Sequence, residues 1–138
     1  MTTLEIAKKY VALCKEHQHP TILETLFSPE AVSIEAMAMP GFPAEVKGVK
    51  AIAMPGFPIE AKGLNAIAEK SKAWTDNHEI HSAIVDGPWP NGNRFVVRFS
   101  YDVTNKPSGR RIKMDEVGLF TVENEKITRE EFFYSTEG

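Results

Sequence analysis

The chain holds one cysteine, Cys14, in 138 residues. No intrachain disulfide can form, which favours a reducing compartment, and a cytoplasmic location is the expectation. A basic surplus is also missing: 16 lysines and arginines face 19 aspartates and glutamates, for a net charge of −3. A nucleic-acid footprint, which shows as a basic stripe, is therefore not expected. Long apolar runs are absent too. The opening MTTLEIAKKY has no signal-peptide core, and nothing approaches the roughly 20 apolar residues of a membrane span. There is no serine nucleophile elbow, Walker loop, dinucleotide fingerprint or zinc-ligand spacing. His78 and His81 come nearest to a metal pair, but on a strand residues three apart face opposite sides. Neither a metal nor a cofactor is expected.

What is present suits a single domain spanning residues 1–138: 42% hydrophobic and 25% charged, ordinary for a soluble globular protein. Thr2 or Thr3 can cap a first helix running to about Glu16, with Leu4, Ala7, Val11 and Cys14 at helical spacing and Ile6, Tyr10 and Leu13 widening the stripe. His17 to Pro20 break it, and a short helix over about 20–27 carries Ile22, Leu23, Leu26 and Phe27. Ala31–Glu35 reads as a first strand, and a third helix begins near Gly63. From Asn77 the period changes to that of strands: 78–85, 94–104, 112–122 and 127–134, separated by turns at Gly87–Asn93, Asn105–Gly109 and Glu123–Glu125. Helices followed by a strand run predict an α+β fold.

Residues 37–51, MAMPGFPAEVKGVKA, are followed directly by IAMPGFPIEAKGLNA at 52–66, identical at ten of fifteen positions. Two copies of so short a unit cannot build a solenoid. They read as a local tandem duplication whose surplus forms a loop, or a short helix through Ala44–Ala53, with Phe42 or Phe57 over a pocket or a neighbouring subunit.

Strand alternation supplies the next signal. Ile112, Met114, Gly118, Phe120 and Val122 share one strand face with Glu116, so this carboxylate interrupts an apolar row. Unless a bulge turns Asp115 or Glu116 to solvent, Glu116 faces the interior, where burial raises a carboxyl pKa. Both faces of the long strands carry apolar residues. One face should pack on the helices and the other should meet a second copy of the chain, so a homodimer is expected.

The stretches Lys9-Tyr10-Val11-Ala12-Leu13, Leu26-Phe27-Ser28-Pro29-Glu30-Ala31-Val32-Ser33-Ile34-Glu35, Lys62-Gly63-Leu64-Asn65-Ala66-Ile67, and Met114–Val122 with Lys126-Ile127 carry a resemblance across nearly the whole chain. It resembles the nuclear transport factor 2-like superfamily, in its SnoaL-like polyketide cyclase and ketosteroid-isomerase-like branch. That resemblance implies a cone: three helices packed on a curved antiparallel sheet. It also implies that Tyr10 stands where the isomerases carry an oxyanion-binding tyrosine, and Glu35 where they carry the aspartate base. Val117 or Gly118 occupies the place of their second oxyanion donor.

The expected chemistry is proton transfer next to a carbonyl, on a small, mostly apolar carbonyl or aromatic ligand. Glu35 takes the proton, Tyr10 donates to the oxygen, and Glu116 returns a proton or orients the ligand. The competing expectation is a non-catalytic ligand-binding or dimerisation module of the same fold, with Tyr10 as a plain core residue.

Overall fold

The computed structural model describes residues 1–35 and 60–134. Within them the elements run α1 (Thr3–Lys15), α2 (His19–Leu26), β1 (Phe27–Ile34), β2 (Glu60–Lys62), α3 (Leu64–Asn77), β3 (His78–Asn91), β4 (Arg94–Asn105), β5 (Arg110–Glu123) and β6 (Lys126–Tyr134). The expected helix at 44–53, with Phe42 and Phe57, lies outside the described residues.

Helix α1 starts in a capping box: the Glu5 amide donates to Thr2 Oγ1 at 3.1 Å, and the Thr2 amide to Glu5 Oε1 at 2.8 Å. Two N–H groups that the first turn leaves unpaired are thereby satisfied, worth about 1 kcal/mol. The buried face is Ile6, Ala7, Tyr10 and Val11, whereas Leu4, expected on the inner stripe, is 41% exposed.

The sheet is six-stranded among the described residues, in the order β2-β1-β6-β5-β4-β3. Strands β3 to β6 form the expected meander of antiparallel hairpins, but β1 lies parallel to β6. The sheet is thus mixed, not wholly antiparallel. The two strands belong to opposite ends of the chain, so no hairpin dictates their relative direction.

Two boundaries differ from the sequence reading, and one strand is added. Strand β1 begins at Phe27, four residues early, with its ladder to β6 interrupted between Phe27 and Val32. Pro29, which has no N–H to donate, falls in that gap. Strand β3 runs through the expected turn at Gly87: a bulge between Asp86 and Trp89 absorbs Gly87-Pro88, and the chain reverses after Asn91. The short β2 was not foreseen; it comes from the second copy of the repeat and pairs with Val32–Ile34. Bulges of this kind bend strands, which lets the sheet curve around the helices.

Between sheet and helices lies one core, in which Phe95, Val97, Phe99, Phe120 and Ile127 meet Ile6, Tyr10, Ile22 and Leu26. Each large apolar side chain buried here contributes about 1.5–3 kcal/mol. Gly118 sits in the middle of this face. A Cβ there would lie 2.8 Å from the Phe120 ring, so the aromatic packing requires the glycine.

Candidate functional site

Strand register assembles the polar centre. Ser33 of β1 pairs with Glu130 of β6, which pairs with Phe120 of β5. One step along, Phe132 opposes Gly118, and the next step sets Tyr134 against Glu116 and Glu116 against Phe99. Ser33, Glu130, Phe132, Tyr134 and Glu116 therefore fall toward one face of the sheet, the face on which the core rests. Glu35 follows Ser33 by two residues at the end of β1.

Helix α3 completes the centre. Its first turn hangs on β1, because the Gly63 amide donates to the Ala31 carbonyl at 2.7 Å. Gly63 holds φ at +88°, a conformation side-chain-bearing residues resist. Two turns on, Lys70 enters the interior. Its Nζ donates to Ser33 Oγ at 2.7 Å, pairs with Glu35 Oε1 at 3.2 Å and stands 5.3 Å from the Phe132 ring centroid. The Tyr134 hydroxyl donates to the other Glu35 oxygen at 3.3 Å. The Lys70 and Glu35 side chains keep 10% and 19% of their surface exposed, so the pair is buried yet reachable from solvent.

Electrostatics separates the carboxyls. Burial pushes Glu116 up from 4.5 to about 8, with the Glu35 charge adding and Lys70 opposing. Burial also raises Glu130, against the pull of Lys70 and a hydrogen bond with Ser33. Tyr101 is raised by burial and then by Glu116, and Tyr134 by burial and then by Glu35. Near neutral pH Glu116 is a protonated acid beside an ion-paired Glu35. No buried side-chain nitrogen or oxygen among the described residues lacks a hydrogen-bond partner, which keeps this network rigid.

Of the three residues singled out from sequence, Glu35 and Glu116 come close enough for one charge to shift the other. Tyr10 sits deeper. It is 2% exposed, its ring 4.5 Å from Phe120 and 5.9 Å from Phe95, and its hydroxyl is hydrogen-bonded with Cys14. The Cys14 thiol is raised to about 12 by burial, so it is an inert partner. The charge that Tyr10 feels most among the carboxyls is Glu130.

Sequence reasoning missed Lys70, Ser33 and Glu130. Lys70 lies three residues after Ile67 and four before Trp74, on the same face of α3 as both. That position was its signal. His78 and His19 serve structure. His78 contacts the Trp74 carbonyl and Asn105, and Ser71 lies 2.9 Å from His19. Among the described residues no group of three His, Cys, Asp or Glu side chains is arranged to hold a metal, and no helix is long and apolar enough to cross a membrane. Two surface hollows, about 380 Å³ between α1 and α2 and about 230 Å³ beside Trp89 and Leu119, are lined without any carboxylate. The acid–base groups belong to the interior.

The family model for the SnoaL-like domain matches residues 1–134. A Mesorhizobium loti protein provisionally described as a SnoaL-like polyketide cyclase is 39% identical, with 97% of this chain and 100% of that one covered and a TM-score of 0.81. An NTF2-like protein of unknown function from Burkholderia pseudomallei matches at 16% identity, 99% and 92% coverage, and a TM-score of 0.71. TerC, co-crystallised with polyporic acid, matches at 18% identity, 97% and 92% coverage, and a TM-score of 0.68. None of the curated proteins matches the chain. The fold is that of the NTF2-like proteins, and the chain belongs to the SnoaL-like domain family.

Proposed function

We propose that the protein binds a small, mostly apolar carbonyl compound on the inner face of its sheet and catalyses proton transfer at the carbon next to the carbonyl, without a cofactor. Glu35 accepts the proton from carbon, leaving an enolate. Glu116, as the carboxylic acid, donates a hydrogen bond to the developing oxyanion and supplies the returning proton, after which Glu35 releases its proton to solvent and Glu116 regains one from it. Tyr10 and Tyr101 are the phenols that share in binding the oxygen. The observation that carries this reading is the pairing of a lysine-bound Glu35 with a Glu116 raised to about 8 in one interior. A proton acceptor and a proton donor then coexist near neutral pH. An aromatic polyketide is the ligand class favoured by the cyclase description of the relative at 39% identity.

The test is deuterium uptake at the α-carbon of aromatic and steroid ketones, followed by proton NMR in D2O. Glu35→Gln should slow exchange by about 10²–10⁴-fold with the fold intact, and Tyr10→Phe should slow it less. Exchange that continues at the wild-type rate in Glu35→Gln would remove Glu35 from the mechanism.

A second copy of the chain is the partner proposed for the outer sheet face. Ile84, Trp89 and Phe133 are 57%, 54% and 50% exposed there, where their strand partners are Ser100, Val96 and Val117. The charges around them, Arg98 with Asp115 and Arg129 with Glu131, are already paired within the chain. Charges paired in this way add no net repulsion when the same face meets its own copy.

A further inference from the structure

Two carboxyls in one apolar interior resist being ionised together, and a fixed cation beside one of them decides which keeps its charge. The groups facing this interior are Glu35 at the end of β1, Tyr101 on β4, Glu116 on β5, Glu130 and Tyr134 on β6, and Tyr10 with Cys14 on α1. Lys70 of α3 touches Glu35 at 3.2 Å and acts on Glu116 only through space. A lysine head on a free four-carbon stem would wander, because that stem has many rotamers. This one is pinned. Ser33 Oγ accepts from it at 2.7 Å, Ser33 is itself bonded with Glu130, and the Phe132 ring lies beneath the ammonium.

We propose that Lys70 is the positioning residue of this site: pinned at Ser33, its ammonium fixes Glu35 as the ionised proton acceptor and thereby leaves Glu116 as the proton donor. The inference rests on the proton-transfer reading, but it adds a residue and a cause for the division of roles. The same clamp holds α3 against β1, so the geometry of the base is tied to the docking of that helix. Lys70 need not touch the ligand to do this.

Lys70→Met keeps most of the apolar stem and removes the charge. Two readouts separate the claims: α-proton exchange kinetics, and carbon-13 NMR titration of the glutamate carboxyls in labelled protein. In Lys70→Met, kcat should fall about 100-fold or more with KM nearly unchanged. The Glu116 carboxyl should titrate below its wild-type midpoint, because a Glu35 no longer held ionised ceases to raise it and that contribution exceeds the opposing one of Lys70. Lys70→Arg should recover part of both. Ser33→Ala, which keeps every charge, should lower kcat about tenfold and covers the case in which Lys70→Met does not fold. A Glu116 midpoint unmoved or raised in Lys70→Met, or an unchanged kcat in Ser33→Ala, overturns the proposal. A wild-type protein that exchanges no ketone sinks the catalytic reading alone, while the carboxyl titration still decides the role of Lys70.

Discussion

Replacing Glu116 by glutamine should change how stability depends on pH. Burial raises the Glu116 carboxyl from 4.5 to about 8, so the folded protein keeps a proton that the unfolded chain releases. The sign follows from linkage. This stabilisation is complete below about pH 4.5 and is lost as pH rises through about 8, because ionising the buried group favours unfolding. Each pH unit crossed is worth about 1.4 kcal/mol, so the full span amounts to about 3–5 kcal/mol. Glu116→Gln cannot ionise, and its side-chain amide can occupy nearly the same space. The stability difference between wild type and Glu116→Gln, measured by urea unfolding from about pH 5 to about pH 9, should therefore move against the wild type up to about pH 8 and level off above it. Glu130, raised in the same direction, is present in both proteins and largely cancels. A difference that stays flat over that range, or that moves toward the wild type, refutes the burial of an uncharged Glu116.

Gly118→Ala would place a Cβ 2.8 Å from a Phe120 ring that is wedged among Phe95, Phe132 and Tyr10, with Phe99 at 3.3 Å on the other side. It should destabilise by about 1–3 kcal/mol, visible as a melting temperature several degrees lower, and an unchanged melt would show that the rings can yield. The outer sheet face should give a particle of about twice 15.4 kDa by light scattering at micromolar concentration. Trp89→Glu with Phe133→Glu should return it to the monomer mass, and a wild type already monomeric contradicts the dimer.

The sequence determined the helices and the meander because their signals are local. The Thr2–Glu5 box, the apolar spacing along α1 and the period-two run from Arg94 to Val122 each act within a few residues of chain. It also marked Glu116, because strands β4 and β5 pair without a shift from Arg94 to Asn105, so alternation predicts the face of every residue there. The same rule fails on β6. A shift between Thr121 and Val122 puts both Ile127 and Glu130 on the buried side, three residues apart, where simple alternation from Ile127 would turn Glu130 outward. Tertiary structure alone decided the rest of the site. Lys70 meets Ser33 across 37 residues and Tyr134 meets Glu35 across 99, and no local pattern records such a contact. A buried lysine and a buried glutamate read along the chain as surface charges. Only the parallel pairing of β1 with β6, and the docking of α3 against β1, brings such groups together with water largely excluded.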